Sequence, residues 1–184
     1  MGILVGVLAI QGDFEAHIKV FKKLGVAHKE IRSENDLSGV THLVVPGGES
    51  TTIRKVAKSE GFWNGLASFR GPVMGTCMGS VLMAKEIESP AADGWGMLDI
   101  TARRNAYGRQ INSFSAEGRI AISGEPFEMV FIRAPKFVRI GENVKPIAWL
   151  GKEITGVISG NKMALAFHPE LTENSRLHKY FLSL

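Results

Sequence analysis

The chain has 184 residues, 45% of them hydrophobic and 22% charged, with a formal net charge of +4. This is the size and mix of one globular domain able to bury a core without covalent staples, so residues 1–184 are read as a single domain. A lone cysteine excludes an intramolecular disulfide. No apolar run reaches the roughly 20 residues of a membrane span, and basic residues are scattered rather than interleaved with aromatics, which points away from nucleic acid.

In chain order, Ile3–Ile10 is a continuous apolar run, as in a strand buried on both faces of a parallel sheet. It has no basic leader before it and no small-residue cleavage site after it, so the expected setting is the cytoplasm. Gln11-Gly12 breaks the run and Asp13 is placed to cap a helix. Phe14, Ile18 and Phe21 recur at helical spacing, and Gly25 closes that helix. Val26–Ile31 and His42–Val45 read as strands, the second stopping at Pro46-Gly47-Gly48. Ser50 is placed to cap a helix over 51–59. Pro72–Met74 is a short strand, followed by a glycine-rich turn and a helix over Met78–Glu86. This β-α-β-α order predicts a three-layer α/β fold, a mostly parallel central sheet with helices on both faces. From Leu98 the character changes. Leu98–Arg104, Arg119–Ile122, Glu128–Arg133, Lys136–Ile140, Pro146–Leu150, Ile154–Ile158 and Met163–Phe167 are short strand-like runs between turn signals. They are expected to extend the sheet in antiparallel or mixed fashion. Asn174 or Ser175 opens a last helix ending at Phe181.

Gly75-Thr76-Cys77-Met78-Gly79 has the form Gly-x-Cys-x-Gly at a strand-to-helix junction, the thiol counterpart of the nucleophile elbow. A nucleophile on a sharp turn leaves no room for side chains two positions away, hence Gly75 and Gly79. First-turn amides of the next helix favour a thiolate and can donate to an oxyanion. Taken alone, the same residues also fit a buried structural cysteine beside a turn. In His168-Pro169-Glu170, an extended backbone puts His168 and Glu170 on one side, and Pro169 disfavours helix at His168. Glu170 can then orient His168 toward Cys77, giving nucleophile, general base and orienting carboxylate. A surface turn with solvated side chains is the other reading. His17, His28, His42 and His178 lie in predicted helices or strands without an evident carboxylate partner and are read as structural or solvent-facing. No His/Cys/Asp/Glu group has metal-ligand spacing, so no metal site is expected.

Pro46-Gly47-Gly48-Glu49-Ser50 follows a strand and opens a helix. Its exposed amides suit an oxyanion or a small zwitterion, and it lacks the Gly-Lys-Ser/Thr ending of a phosphate loop. Arg103-Arg104-Asn105-Ala106-Tyr107-Gly108-Arg109-Gln110 concentrates cations and amides that suit a carboxylate, a protein partner or solvent. Phe131-Ile132-Arg133-Ala134-Pro135 ends an apolar strand in an arginine, where ligand loops sit.

Together these segments resemble class I, triad-type glutamine amidotransferases with their flavodoxin-like fold. The Gln11-Gly12-Asp13, Arg104–Gln110 and Phe131–Pro135 segments narrow the resemblance to the glutaminase subunits of pyridoxal 5'-phosphate synthase, and His168–Thr172 and Arg176–Phe181 complete the match. The resemblance implies hydrolysis of L-glutamine to glutamate and ammonia through a thioester on Cys77, with His168 as base and acid and Glu170 orienting it. It implies an oxyanion hole from Gly48 and the Met78 amide, and a glutamine pocket of Gly47, Gly48, Glu49, Ser50, Arg104, Asn105, Arg133 and Ala134. Gln11 is implied at the interface with a (β/α)8 synthase subunit that receives the ammonia, and no cofactor is implied. Met78 and Ser80 depart from the pattern, which has a small residue directly after the cysteine and a larger apolar one at the position of Ser80. The bulk of Met78 is expected to crowd the helix start or the pocket, which bears on oxyanion geometry and turnover rate. A glutaminase for another amination pathway, or a non-catalytic binding protein on the same fold, stay open as alternatives.

Overall fold

The structure, a computed structural model, describes residues 2–88, 94–106 and 113–184. Strands β1 (Leu4–Leu8), β2 (Ala27–Ile31), β3 (His42–Val45), β4 (Val73–Thr76) and β12 (Lys162–Leu165) run parallel in the order β2-β1-β3-β4-β12. The sheet continues antiparallel through β11 (Glu153–Ser159), β10 (Lys145–Leu150), β7 (Ser113–Ile120) and β8 (Ser123–Ile132). Five strands of the nine therefore form the parallel half, and the antiparallel extension is nearly as large.

Side chains of the parallel strands alternate between two cores, because successive residues face opposite sides of a sheet. Val5, Val7, Val44, Met74, Met163 and Leu165 point into one core with Phe21, Leu177 and Phe181. That face is covered by α1 (Phe14–Lys23) and α5 (Arg176–Leu182). Leu43, Val45, Val73 and Ala164 point into the other with Ile53, Leu66, Val81 and Leu82. It is covered by α2 (Ser50–Ser59), α3 (Trp63–Ala67) and α4 (Met78–Met83). The continuous apolar runs that marked these strands are thus the sequence of a sheet buried on both faces.

Several expectations are corrected. The helix expected over Met78–Glu86 stops at Met83, and Ala84–Glu88 forms β5 instead. β5 pairs parallel with β6 (Leu98–Arg103), which pairs antiparallel with β9 (Lys136–Ile140). These three make a separate small sheet rather than an extension of the main one. Its Ile87, Leu98, Ile100, Ala102 and Phe137 close the α4-side core, a tertiary contact that overrides the helix propensity of Ala-Lys-Glu. Asp13 stands at the start of α1 but makes no side-chain cap bond, and α2 begins with Ser50 itself rather than being capped by it. α3 and a 3-10 turn over Glu34–Leu37 had no clear periodicity in the sequence.

Register sets the site. Val45 pairs with Gly75, and Leu165 with Thr76, so β3, β4 and β12 end at one level. The loops that follow them, carrying Gly47-Gly48, Cys77 and His168, leave from the same edge of the sheet.

Candidate active site

Cys77 sits between β4 and α4 with φ 47° and ψ −119°. For a non-glycine residue such backbone costs on the order of 1–3 kcal/mol and persists only where the surroundings impose it. They do so here. Cys77 N–H donates to Leu165 O at 2.8 Å, and Ser80 N–H donates to Cys77 O at 3.1 Å. The buried Ser80 hydroxyl donates to the same carbonyl at 2.6 Å. Ser80 thus ties down the elbow. A Cβ on Gly75 would lie 2.6 Å from Met83 Sδ and 2.9 Å from Ser80 Cα, and one on Gly79 would fall on the Val45 carbonyl oxygen. Both glycines are therefore required by close approach, as the motif predicted.

His168 leaves β12 with its own N–H donated to Val130 O of β8 at 2.8 Å. The segment is not extended as expected. Pro169–Leu171 is a 3-10 turn, with Pro169 in its first position. The turn still brings the pair together: His168 Nδ1 donates to Glu170 Oε1 at 2.7 Å. Both side chains are almost wholly buried. His168 Nε2 has no hydrogen bond of normal geometry. Its neighbour is Cys77: a Cβ on Gly47 would meet the His168 ring and lie 3.0 Å from Cys77 Cβ.

Burial works to lower the His168 pKa, but hydrogen bonding and charge from Cys77 and Glu170 outweigh it and raise it to about 10. Burial likewise works to raise the Glu170 pKa, and the opposing pull of His17 and His168 leaves it well below the ordinary carboxylate value. The arrangement is built to hold an imidazolium against a carboxylate beside a thiol.

A cavity of about 400 Å³ opens over Cys77 and His168. Its wall includes Gln11, Gly48, Glu49, Ser50, Met78, Arg104, Asn105 and Arg133, all predicted from sequence. Among the described residues, the non-glycine residues with positive φ are Cys77, Asn105 and Arg133, at 47°, 49° and 45°, and all three line this cavity. Strained backbone collected at one cleft marks a working site. Gly47 and Ala134 are not on the wall. Gly47 lies under Cys77 and His168, its N–H donated to Thr76 Oγ1 at 3.2 Å. Ala134 is buried, and its carbonyl holds the Arg104–Ala106 turn by accepting Ala106 N–H at 3.1 Å. Tyr107, Gly108, Arg109 and Gln110 lie outside the described residues. Gln11 Oε1 accepts the Glu49 N–H, which ties the first loop to the glycine loop.

Sequence reasoning missed four features. Gly12, Asp13, Thr51 and Ile132 line the cavity, and Ile132 O accepts the Cys77 thiol at 3.4 Å. Asp13 Oδ2 lies 3.7 Å from His168 Nδ1, so Asp13, His168 and Glu170 gather within 4.8 Å despite their unpromising spacing. His17 is not a bystander, its Nε2 being 3.4 Å from Glu170 Oε2. Finally, Met78 packs into the α4-side core and also lines the cavity.

A parallel sheet with helices on both faces, carrying a strained cysteine elbow at its carboxyl edge with a His-Glu pair behind it, defines a class I glutamine amidotransferase. The chain belongs to the SNO glutamine amidotransferase family, whose model matches residues 7–184. It is 44% identical over 188 residues to the pyridoxal 5'-phosphate synthase subunit PdxT of Deinococcus radiodurans, covering 98% of this chain and 96% of that protein. It is 46% identical over 186 residues to PdxT of Thermus thermophilus, covering 98% and 97%. A solved glutamine amidotransferase structure superposes with TM-score 0.91 at 44% identity, over 97% of each chain. A glutamine amidotransferase structure from Thermotoga maritima shares the fold at 14% identity and TM-score 0.62, over 100% of this chain and 82% of that one. Among the described residues no helix is long and apolar enough to cross a membrane.

Proposed function

We propose that the chain, acting as one domain over residues 1–184, is the glutamine-hydrolysing subunit of a pyridoxal 5'-phosphate synthase, with Cys77, His168 and Glu170 as its triad. The observation that carries the reading is the buried His168–Glu170 pair at 2.7 Å beside a cysteine held at φ 47°. A binding protein without catalysis has no use for that strain or for two buried charges.

The reaction follows from the groups present. Cys77 Sγ, its proton already passed to His168 Nε2, attacks the side-chain amide carbon of L-glutamine as a thiolate. The amides of Gly48 and Met78 receive the oxyanion charge as it develops. Collapse of the tetrahedral intermediate breaks the C–N bond, and His168 delivers its proton to departing ammonia. Water, deprotonated by His168, then hydrolyses the thioester to glutamate and restores the thiol. Arg104 and Arg133 suit the substrate's α-carboxylate and Glu49 its α-ammonium, while Ser50 and Asn105 supply neutral hydrogen bonds. Gly47 and Ala134 position this wall from beneath.

The relatives are named as subunits of pyridoxal 5'-phosphate synthase, which supports a (β/α)8 synthase partner in the cytoplasm that takes up the ammonia. The tie between Gln11 and the glycine loop gives such a partner a handle on the oxyanion hole. The test is glutamate release from L-glutamine by the purified chain, by itself and with the synthase subunit, with Cys77→Ala as control. Release is expected to need Cys77 and to rise strongly with the synthase. Equal rates with and without it would overturn the coupling, and an active Cys77→Ala chain would overturn the nucleophile.

A further inference from the structure

Behind Glu170 lies a polar chain that the triad does not account for. His17 on α1 and His178 on α5 are both fully buried. His17 Nε2 is 3.4 Å from Glu170 Oε2 and 3.2 Å from Thr76 Oγ1. Its Nδ1 is 3.1 Å from His178 Nε2, and the two rings pack at 5.3 Å between centroids. Thr76, the residue before Cys77, also accepts the Gly47 N–H. One imidazole on α1 therefore touches the orienting carboxylate, the residue before the nucleophile and, through Thr76, the glycine loop. Burying two histidines is costly unless their nitrogens are used.

We propose that His17 is a positioning residue of the triad: its Nε2–H is directed at Glu170 Oε2 and, backed by His178, it holds that carboxylate as the acceptor of the His168 Nδ1 proton. The inference rests on the reading of Cys77, His168 and Glu170 as the triad. The geometry selects the proton's place. Glu170 Oε1 is filled by His168, while Oε2 makes no hydrogen bond of normal geometry and has His17 Nε2 3.4 Å away. A bare Nε2 would set a lone pair against a buried carboxylate oxygen. A proton on Nε2 faces Glu170 whether His17 is neutral or charged. The neutral ring then accepts His178 Nε2–H, and the charged ring donates to it.

The charged and titratable groups around Glu170 agree with this. They are His168 from its own turn, His17 from α1, Asp13 from the loop before α1 and, one ring further, His178 from α5; Thr76 from β4 is uncharged. After burial, which favours the neutral acid, the largest influence on Glu170 is the attraction of His17. Burial, followed by the charge of His17, lowers the His178 pKa to about 3, so the outer ring stays neutral and adds no charge of its own.

The test is the pH profile of glutamate release by the full chain with its synthase subunit, for the unsubstituted protein, His17→Leu and His17→Gln. Glutamine places an N–H where the histidine Nε2–H lies; leucine does not. In His17→Leu the limb of the kcat profile set by His168 is expected to move down by about one pH unit, because a carboxylate that has lost one favourable partner stabilises the imidazolium less. KM should stay within about twofold, because His17 touches no substrate, and His17→Gln should restore the limb. An unmoved limb with activity lowered equally at every pH would reduce His17 to packing and overturn the proposal. A second measurement needs neither a folded variant nor activity: the 15N spectrum of the unsubstituted chain labelled at histidine. A proton on His17 Nε2 supports the proposal, and a bare Nε2 sinks it. An unsubstituted chain that releases no glutamate would fail the triad reading instead, and the spectrum would still decide the orientation of His17.

Discussion

The parallel strands β1, β3, β4 and β12 end in the loops that carry Gln11, Gly48, Cys77 and His168, whereas the antiparallel strands return through tight turns at Ile120–Ser123, Leu150–Glu153 and Ser159–Lys162. The difference is topological. Parallel neighbours need crossovers, so every strand presents its carboxyl end at the same edge, and four loops converge there. Antiparallel neighbours alternate direction, so among the described residues the other half reaches the cavity only where β8 ends, at Ile132 and Arg133. Its remaining contribution is support: the Val130 carbonyl that holds His168, and the Phe127, Met129 and Phe131 side chains beneath it. Chemistry and support thus fall on different halves, and substitutions can test whether they separate.

The largest effect is expected from Glu170→Gln on the parallel edge. The change keeps shape and removes the charge that stabilises the His168 imidazolium. By the logic of an orienting carboxylate in a triad, kcat should fall by about a thousandfold or more with KM little changed. Steady-state kinetics with the synthase subunit measures both, and a loss below tenfold would mean that Asp13, 3.7 Å from the same His168 nitrogen, substitutes for it.

Ile147→Ala, on β10 in the antiparallel half, should show the opposite signature. Ile147 is buried in the α1/α5-side core, so truncation should cost about 2–4 kcal/mol of stability. Thermal melting should record that loss while kcat, measured below the melting range, stays within about threefold. A large fall in kcat would show that support and chemistry do not separate.

How much of this division could be read from the chain depends on how local its causes are. Parallel strands betrayed themselves because burial on both faces writes continuous apolar runs such as Leu4–Leu8 and His42–Val45. The cysteine elbow was legible because its glycines are local steric requirements. β7 was seen only at its end: its residues alternate between half-buried and exposed, with no long apolar run. β5 was misread as helix because only its partner β6 makes Ala84–Glu88 a strand. Asp13, His17 and Thr76 escaped for the same reason. Their roles are contacts with residues far away along the chain, and nothing in their own neighbourhoods signals them.

A smaller effect tests the buried histidines that join the halves' helices to the triad. The folded His168 pKa is raised, so its stabilisation is complete below about pH 6.5 and fades as pH rises toward 10. The folded His178 pKa is lowered to about 3, so its contribution is complete above about 6.5 and fades as pH falls. His42, lowered by burial, adds to the acid side. Across pH 5 to 8 the carboxylates change little, and Tm should peak near pH 6.5. His178→Phe should flatten the acid slope and leave the alkaline one. A Tm that climbs steadily to pH 8 would mean that His168 is not held as an imidazolium.

Met78→Ala should have the smallest effect, and it addresses the residue directly after the nucleophile. Met78 belongs to the α4-side core and also lines the cavity, and its amide is the one proposed for the oxyanion. What aims that amide is backbone: Cys77 N–H on Leu165 O, Ser80 N–H and hydroxyl on Cys77 O, and Gly79 packed on the Val45 carbonyl. None of these contacts involves the thioether. Truncation should therefore lower Tm by leaving a partly filled space, and change kcat/KM by less than about threefold. A tenfold loss would mean that side-chain packing from the core, and not the hydrogen bonds of the elbow, sets the oxyanion geometry.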